Sequence, residues 1–562
     1  MKNNILVIEH ASSSISAKLK CDKIEYNNQS KDEDIHRWLI SNKAILSTAQ
    51  KIIIPVRLGT EDAEYMGLRV GLHIRLTREL EDIRLLPILF ITDDSKEEIL
   101  TNQINKHKEK SAILLFTKGS YLLSAFSLDE YISRTLLKIE ETTLLEKVIP
   151  SFSIENTKDP GHQLANDWGA FRLAKFAGYT LKLEKPTSLY FKFKDSFTNN
   201  EIVPNRNSMD GTLKTSCKAL LIDDNAKSGW SDVLGHILRK HIIRYDYSSD
   251  LDVIDTYDAA LEFVDYSKYD LIFLDLRLLK EEDKGNIVME LEEFSGTKIL
   301  RKIKECNRGI QVMVFSASNK IWYIDRLLNL KDASANGYYV KESPEYILSS
   351  NFSSENYNNL VENIKKCLDL KFLKDFYNEF DLIKVELLKR RQKDLPKEFV
   401  DEVIKWLEIS NALIAKGATT LNITTSFLFY FSVIESISNK IIDVDNPIFV
   451  ETENGQKKYN FQFRGSDQKL RNYIEDIPNS GIYRKTKGKL KSSRNIPWLL
   501  KILNAFDFIS NYNIDEILVS NLIKKRNDII HSNPTTGDKI NIELRELIML
   551  YKFIIEGLKN IK

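Results

Sequence analysis

Net charge is almost absent from this 562-residue chain, in which 81 lysines and arginines face 80 aspartates and glutamates for a formal charge of +1. A balanced chain creates no global field to gather nucleic acid or an anionic membrane, so any such contact must come from a local patch. Cysteine is scarce as well. Cys21, Cys217, Cys306 and Cys367 are the only four, far apart and without a Cys-x-x-Cys. This argues against a disulfide framework and a thiolate zinc site, and fits a reducing cytoplasm. The histidines number eight, and only His531 lies beyond His241. No apolar run approaches the roughly 20 residues of a membrane span. The N-terminal "ILVI" is too short for a signal-peptide core and reads as a first strand. A cytoplasmic protein that makes no membrane contact is expected.

What is present is a soluble globular balance, 43% hydrophobic and 29% charged, over a length that calls for three or four domains. Residues 1–128 alternate short apolar runs ("ILVIE", "KIIIPVRL", "LPILFIT", "AILLFTKG") with helical patterns such as "GLRVGLHIRLTREL", which argues for a parallel sheet covered on both faces. Residues 129–215 form a connecting α+β region. In it a helical stretch (129–147) precedes "DPGHQLANDWGAFRLAKFAGY", strand-like "TLKLEKP" and "SLYFKFKDSF", and an Asn-rich linker. From 216 to 355 the alternation restarts with "KALLIDDN", "YDLIFLDLRL", "IQVMVFSAS" and "NGYYVKES" as strands. A linker helix is expected over 356–395, and from 396 to 562 helical periodicity predominates, as in a bundle. The fold class expected is thus α/β followed by all-α.

Polar residues stand at four strand ends in the second α/β domain, where such sheets place their ligand site. Asp223 and Asp224 follow "ALLI", Asp275 follows "LIFL", Ser316 follows "VMVF" and Lys341 follows "GYYV". Converging carboxylates repel one another, and Mg²⁺ relieves that repulsion while holding phosphoryl oxygens. One carboxylate can act as nucleophile toward phosphorus, and a lysine and a hydroxyl can pair with the remaining oxygens. In order and type these residues resemble the receiver domain of two-component response regulators, a doubly wound, flavodoxin-like fold. The resemblance implies Asp275 as phosphoacceptor, Mg²⁺ held by Asp223, Asp224, Asp275 and the backbone carbonyl of Arg277, and phosphoryl sensing by Ser316, Lys341 and Tyr338. It also implies a sensor histidine kinase as partner. Glu342 departs from the family, which usually has proline after the lysine.

The first domain resembles a receiver without its chemistry. Glu9 and His10 take the place of the acidic pair, and Arg57 lies near the acceptor position. Thr92 and Lys118 match the hydroxyl and lysine positions. A degenerate receiver serving docking or dimerisation and an unrelated α/β domain are both compatible with this. In "GHQLANDWG", His162 and Asn166 lie one helical turn apart. Either a recognition surface or a helix burying Trp168 fits the segment.

The last region carries "LIKKRNDIIHSNP". Asn513 and Glu516 have capping-box spacing. Ile517, Leu518, Leu522, Ile529 and Ile530 are expected to form a buried stripe, and Pro534 marks the stop. Asn527 and His531 share a face, and Arg526 stands five residues before His531, a rise of about 7.5 Å. Histidine can move the 2′-hydroxyl proton or protonate a leaving 5′-oxygen, and arginine can bind the scissile phosphate. "RNDIIH", with Arg526, Asn527 and His531, resembles the signature of HEPN ribonuclease domains, and "FLFYFSVIES" resembles the earlier HEPN helix with its acidic residue, here Glu435. The resemblance implies metal-free RNA cleavage at a site composed by two chains, hence a homodimer. A structural arginine and a capping histidine would give the same six residues. In "YRKTKGKLKSSR", Arg484, Lys485, Lys487, Lys489, Lys491 and Arg494 offer phosphate contacts to RNA, or a solvated loop.

These readings combine into a response regulator whose phosphorylation controls an endoribonuclease. The architecture resembles effectors of two-component-like phage-defence systems such as Detocs. The alternative is a non-catalytic regulator in which Asp275 controls dimerisation or partner binding. No short helix-turn-helix unit is present, so DNA is not an expected partner.

Overall fold

The computed structural model describes residues 4–13, 15–27, 31–58, 65–95, 97–101, 111–124, 128–152, 154, 162–181, 187–197, 213–245, 251–283, 290–317, 324–330, 333–344, 352–393, 395–441, 448–453, 456–461, 471–475, 483–486, 492–493, 502, 516–531 and 542–560. The first domain is a parallel sheet of β1 (Ile5–His10), β2 (Asp22–Tyr26), β3 (Lys51–Pro55), β4 (Ile88–Ile91) and β5 (Ser120–Leu123), in the order β2-β1-β3-β4-β5. Ile52, Ile53 and Ile54 are all fully buried, as a parallel sheet covered on both faces requires. Helices α1 (Asp32–Ser41) and α2 (Met66–Leu76) belong to this domain. Two readings of the sequence need correction. Strand β2 was not expected, because "DKIEY" is short and carries only two apolar residues, Ile24 and Tyr26, which turn inward. "AILLFTKG" is not a strand. Ser111–Phe116 is a 3-10 helix packed on α2, and β5 begins only at Ser120. A short run of buried apolar residues carries no period that separates the two conformations.

The connecting region divides between its neighbours. Helix α3 (His162–Ala177) shares a core with the second α/β domain through Ala170, Leu173, Ala174 and Phe176. Helix α4 (Leu189–Ser196) joins the first domain's core through Leu189 and Phe193. "SLYFKFKDSF" was expected to be a strand. It is a helix whose N-cap, Ser188, accepts the Phe191 N–H at 3.2 Å. Lys192 is buried along with Leu189, Phe191 and Phe193, so polar and apolar residues do not divide into a wet and a dry face.

In the second domain β6 (Ala219–Ile222), β7 (Asp252–Ile254), β8 (Leu271–Asp275), β9 (Gln311–Ala317) and β10 (Gly337–Lys341) form another parallel sheet, ordered β10-β9-β8-β6-β7. Counted along each chain segment, both sheets run 2-1-3-4-5, the flavodoxin-like order. Its ligand crevice opens at the carboxyl ends of the first and third strands. Helices α5 (Trp230–His241), α6 (Ser295–Cys306) and α7 (Phe352–Asp369) pack on this sheet.

The linker expected as one helix over 356–395 is two. Helix α7 ends at Asp369 and α8 (Leu373–Arg391) begins after a turn. The turn seats against the second domain. Asn307 Nδ2 donates to the Lys374 carbonyl at 2.8 Å and to Asn378 Oδ1 at 2.7 Å, and Lys374 pairs with Asp270 at 2.8 Å. Gly309 permits the approach, since a Cβ there would lie 2.2 Å from the Leu373 carbonyl oxygen.

Helices α8, α9 (Lys397–Ala415), α10 (Thr420–Ile441), α11 (Glu516–His531) and α12 (Leu544–Asn560) share one core, in which Tyr551 stacks on Phe376 at 3.7 Å. The chain is therefore α/β with a C-terminal helical region, but that region is not purely helical. An antiparallel sheet of β11 (Ile448–Glu453), β12 (Gln456–Phe461), β13 (Arg471–Glu475), β14 (Tyr483–Thr486) and β15 (Ser492–Ser493) interrupts it. "DQKLRNYIEDI", read as helical, contributes β13. Among the described residues no helix is long and apolar enough to cross a membrane.

Candidate phosphoacceptor site

The carboxyl ends of β6, β8, β9 and β10 lie side by side, with Leu274 in register with Ile222, Asp275 with Phe315 and Ala317 with Lys341. Asp223, Asp224 and Asp275 each bring a carboxylate oxygen within 4.8 Å of the others. The Lys341 ammonium lies between two of them, 2.5 Å from Asp275 Oδ2 and 2.8 Å from Asp223 Oδ2. Asp223 is fully buried, and Asp275 and Lys341 are each 2% exposed, so water does little to screen these charges. Burial pushes the Asp223 carboxyl up to about 6, Asp275 adds to the rise, and Lys341 opposes it. Burial works against a charged Lys341, but the two carboxylates outweigh it and hold its pKa above the ordinary lysine value.

Two buried carboxylates beside one ammonium, with the half-buried Asp224 close by, leave excess negative charge, and an all-oxygen set of this kind suits Mg²⁺. The N–H of Arg277 faces Asp275 Oδ1 at 3.4 Å. Ser316, at the end of β9, is 2% exposed, and among the described residues its hydroxyl has no hydrogen-bond partner. An unmet buried hydroxyl costs about 1–3 kcal/mol, which an incoming oxygen would offset. Tyr338 lies in β10, half-buried. Glu342 enters a buried polar group, accepting from Ser353 Oγ at 2.6 Å and lying 3.8 Å from Arg172 Nε.

Sequence reasoning missed two residues of this site. Asn166, on α3, accepts the Lys341 ammonium at 3.1 Å and the Trp230 Nε1–H at 3.2 Å through Oδ1. Trp230 begins α5, fully buried, with its ring 5.3 Å from the ammonium. The unusual composition of "GHQLANDWG" was the available signal. Of the two readings of that segment, the helix burying Trp168 is the one observed, at 1% exposure.

The corresponding corner of the first domain is built differently. Arg57 follows β3 and forms a two-pronged ion pair with Asp94, at 2.8 and 2.9 Å. Glu9 is buried and accepts the Ser16 N–H at 3.1 Å and the Ser16 hydroxyl. His10 Nδ1 lies 2.8 Å from Ser12 Oγ. Thr92 follows β4 as expected, but Lys118 precedes β5 rather than following it, so no lysine reaches this corner from that position. The guanidinium near the acceptor position holds the Asp94 carboxylate in an ion pair.

In the helical region Arg526 donates to Glu435 Oε1 at 2.7 Å and to Asn527 Oδ1 at 3.2 Å. This joins α10 to α11 across 91 positions of sequence. His531 is the last residue of α11, and its side chain lies outside the described residues, as do Asn513, Pro534 and the side chains of Ile517 and Leu518. Leu522 is fully buried, but Ile530, expected in the buried stripe, is 48% exposed. Arg484 and Lys485 belong to strand β14 rather than a loop, paired with Ile474 and Tyr473. Lys487, Lys489, Lys491 and Arg494 lie outside the described residues.

Residues 2–123 match the family model of the inactive receiver domain. The first domain therefore belongs with the inactive-receiver family rather than with an unrelated α/β fold, and it carries the Arg57–Asp94 pair near the position of a receiver's acceptor. No curated protein matches the chain.

Proposed function

We propose that the chain is a response regulator in which phosphorylation of Asp275 controls a metal-independent endoribonuclease of the HEPN type. The observation that carries this reading is the Lys341 ammonium held at 2.5 Å from Asp275 and 2.8 Å from Asp223. That arrangement fixes the acceptor carboxylate and supplies a cation to an arriving phosphoryl group. A carboxylate oxygen of Asp275 attacks the phosphorus of a phosphohistidine on a sensor kinase. The new O–P bond forms as the P–N bond breaks, and the electron pair returns to the imidazole nitrogen. Asp223, Asp224 and Asp275, with the Arg277 carbonyl, would hold Mg²⁺, which when bound offsets phosphoryl charge. Ser316, Lys341 and Tyr338 would sense the product.

For the output, the Arg526–Glu435 pair supports a preorganised guanidinium beside Asn527. On this reading the 2′-hydroxyl oxygen of RNA attacks the adjacent phosphorus as the P–O5′ bond breaks. His531 moves the proton, Arg526 binds the phosphate, and a 2′,3′-cyclic phosphate and a 5′-hydroxyl result. Two chains would compose the site, and the 483–494 segment would track the RNA backbone. Toxin-like arrest in phage defence is the setting this output suits. The Arg526–Glu435 pair also fits a non-catalytic, assembly-controlling bundle. Purified protein incubated with RNA separates the two. The nuclease reading expects cyclic-phosphate ends that are lost in Arg526→Ala and His531→Ala. Ends of another chemistry, or cleavage that survives both substitutions, would overturn it.

A further inference from the structure

The Lys341 ammonium donates to Asp275 Oδ2 at 2.5 Å and to Asn166 Oδ1 at 3.1 Å, and it forms an ion pair with the Asp223 carboxylate at 2.8 Å. The two carboxylates belong to the site. Asn166 comes from a helix outside the α/β domain, 175 positions away in sequence. A phosphoryl oxygen arriving at Lys341 competes with these partners for the ammonium. Asn166 is the neutral one, and a phosphoryl oxygen adds a charge–charge attraction to the ammonium that an amide oxygen lacks.

We propose that α3 is a built-in gate over the phosphoacceptor, with Asn166 as its latch on Lys341, and that the phosphoryl group on Asp275 displaces it. This rests on the reading of Asp275 as the phosphoacceptor. The rest of α3 is built for close seating. A Cβ at Gly169 would lie 3.0 Å from the Trp230 ring and 3.1 Å from the Glu342 carbonyl oxygen. Arg172, 1% exposed, donates to Ser353 Oγ at 3.0 Å at the start of α7. With α3 seated, Asp275 is only 2% exposed.

The gate is also tied to the inactive receiver. Arg172 and Lys175 of α3 face Asp195 of α4 at 3.6 and 3.1 Å, and Arg78 of the first domain reaches the same carboxylate at 3.1 Å. The inactive receiver holds the helix that closes the active-type site, which gives a domain without phosphoryl chemistry a part in the phosphoryl response.

The test compares full-length wild type, Asn166→Ala and Gly169→Leu, treated with acetyl phosphate and Mg²⁺. Intact mass follows phosphoryl uptake, and hydrogen exchange of 162–177 is followed with and without beryllofluoride. The second variant lifts the helix without touching Lys341. Both variants are expected to take up the phosphoryl group about tenfold faster than wild type or more, the scale of one hydrogen bond to a charged group. Exchange in 162–177 is expected to rise in wild type on beryllofluoride. Equal uptake rates in all three proteins with unchanged exchange would overturn the gate and leave the phosphoacceptor reading standing. No uptake by any of them would overturn both.

Discussion

At the scale of single residues, the functional reading depends on charges placed where water is excluded. Lys341 is the counter-charge of two buried carboxylates, so Lys341→Met is expected to lower stability by about 3–5 kcal/mol, the usual result of stranding a buried charge. Urea denaturation measures this, and adding Asp223→Asn is expected to recover part of the loss. A double variant no more stable than Lys341→Met would contradict the pairing. A second buried group lies where α4 meets the inactive receiver. There His73 Nε2 donates to Asp32 at 3.0 Å and Nδ1 accepts from Lys192 at 3.0 Å. Burial and the neighbouring Lys192 depress His73 to about 3, against the pull of Asp32. The unfolded chain therefore binds a proton that the folded chain refuses between pH 6.5 and about 3, and stability is lost as pH falls through that window. In thermal melts His73→Gln, which can keep both hydrogen bonds, is expected to flatten the acid slope. An unchanged slope would show that His73 does not set it.

That Asp223, Asp224, Asp275, Ser316 and Lys341 lie at strand ends was legible in sequence because each falls within two residues of the end of an apolar strand, a purely local signal. Asn166 was not legible. Its partnership with Lys341 depends on how a separate helix docks, and no local pattern encodes that.

At the scale of elements, the strongly periodic segments were legible and the crowded ones were not. "SLYFKFKDSF" alternates like a strand, but α4 is buried on more than one face, so burial hides the helical period. The linker's apolar pattern runs unbroken from α7 into α8. The turn between them forms because Asn307 and Gln311 of the second domain accept the role of satisfying its backbone, donating to the Lys374 and Leu370 carbonyls. That turn fixes α8 to the end of the sheet opposite Asp275. Gly309→Val would drive a side chain into the Leu373 backbone, and overpacking of this kind costs about 1–3 kcal/mol. It is expected to lower the melting temperature and raise hydrogen exchange over 370–378. Exchange unchanged there would mean that the junction does not depend on this contact.

At the scale of the whole molecule, an inactive-receiver domain, a second α/β domain and a helical region with an inserted antiparallel sheet follow one another along the chain. On the proposed reading, phosphoryl capture at Lys341 frees α3 at one end of the second domain, and α7 and α8 carry the change toward Arg526 and His531. The two-domain α/β plan was readable from strand and helix alternation. The inserted sheet was not, because its strands pair only with one another and leave no apolar run longer than those of the helices around them.

The most direct measurement is the initial rate of RNA cleavage by the full-length protein with and without beryllofluoride and Mg²⁺, in wild type, Asp275→Ala and His531→Ala. The account predicts that beryllofluoride raises the wild-type rate, leaves Asp275→Ala unchanged, and finds His531→Ala silent in both conditions. A wild-type rate indifferent to beryllofluoride, or undiminished cleavage by His531→Ala, would contradict it.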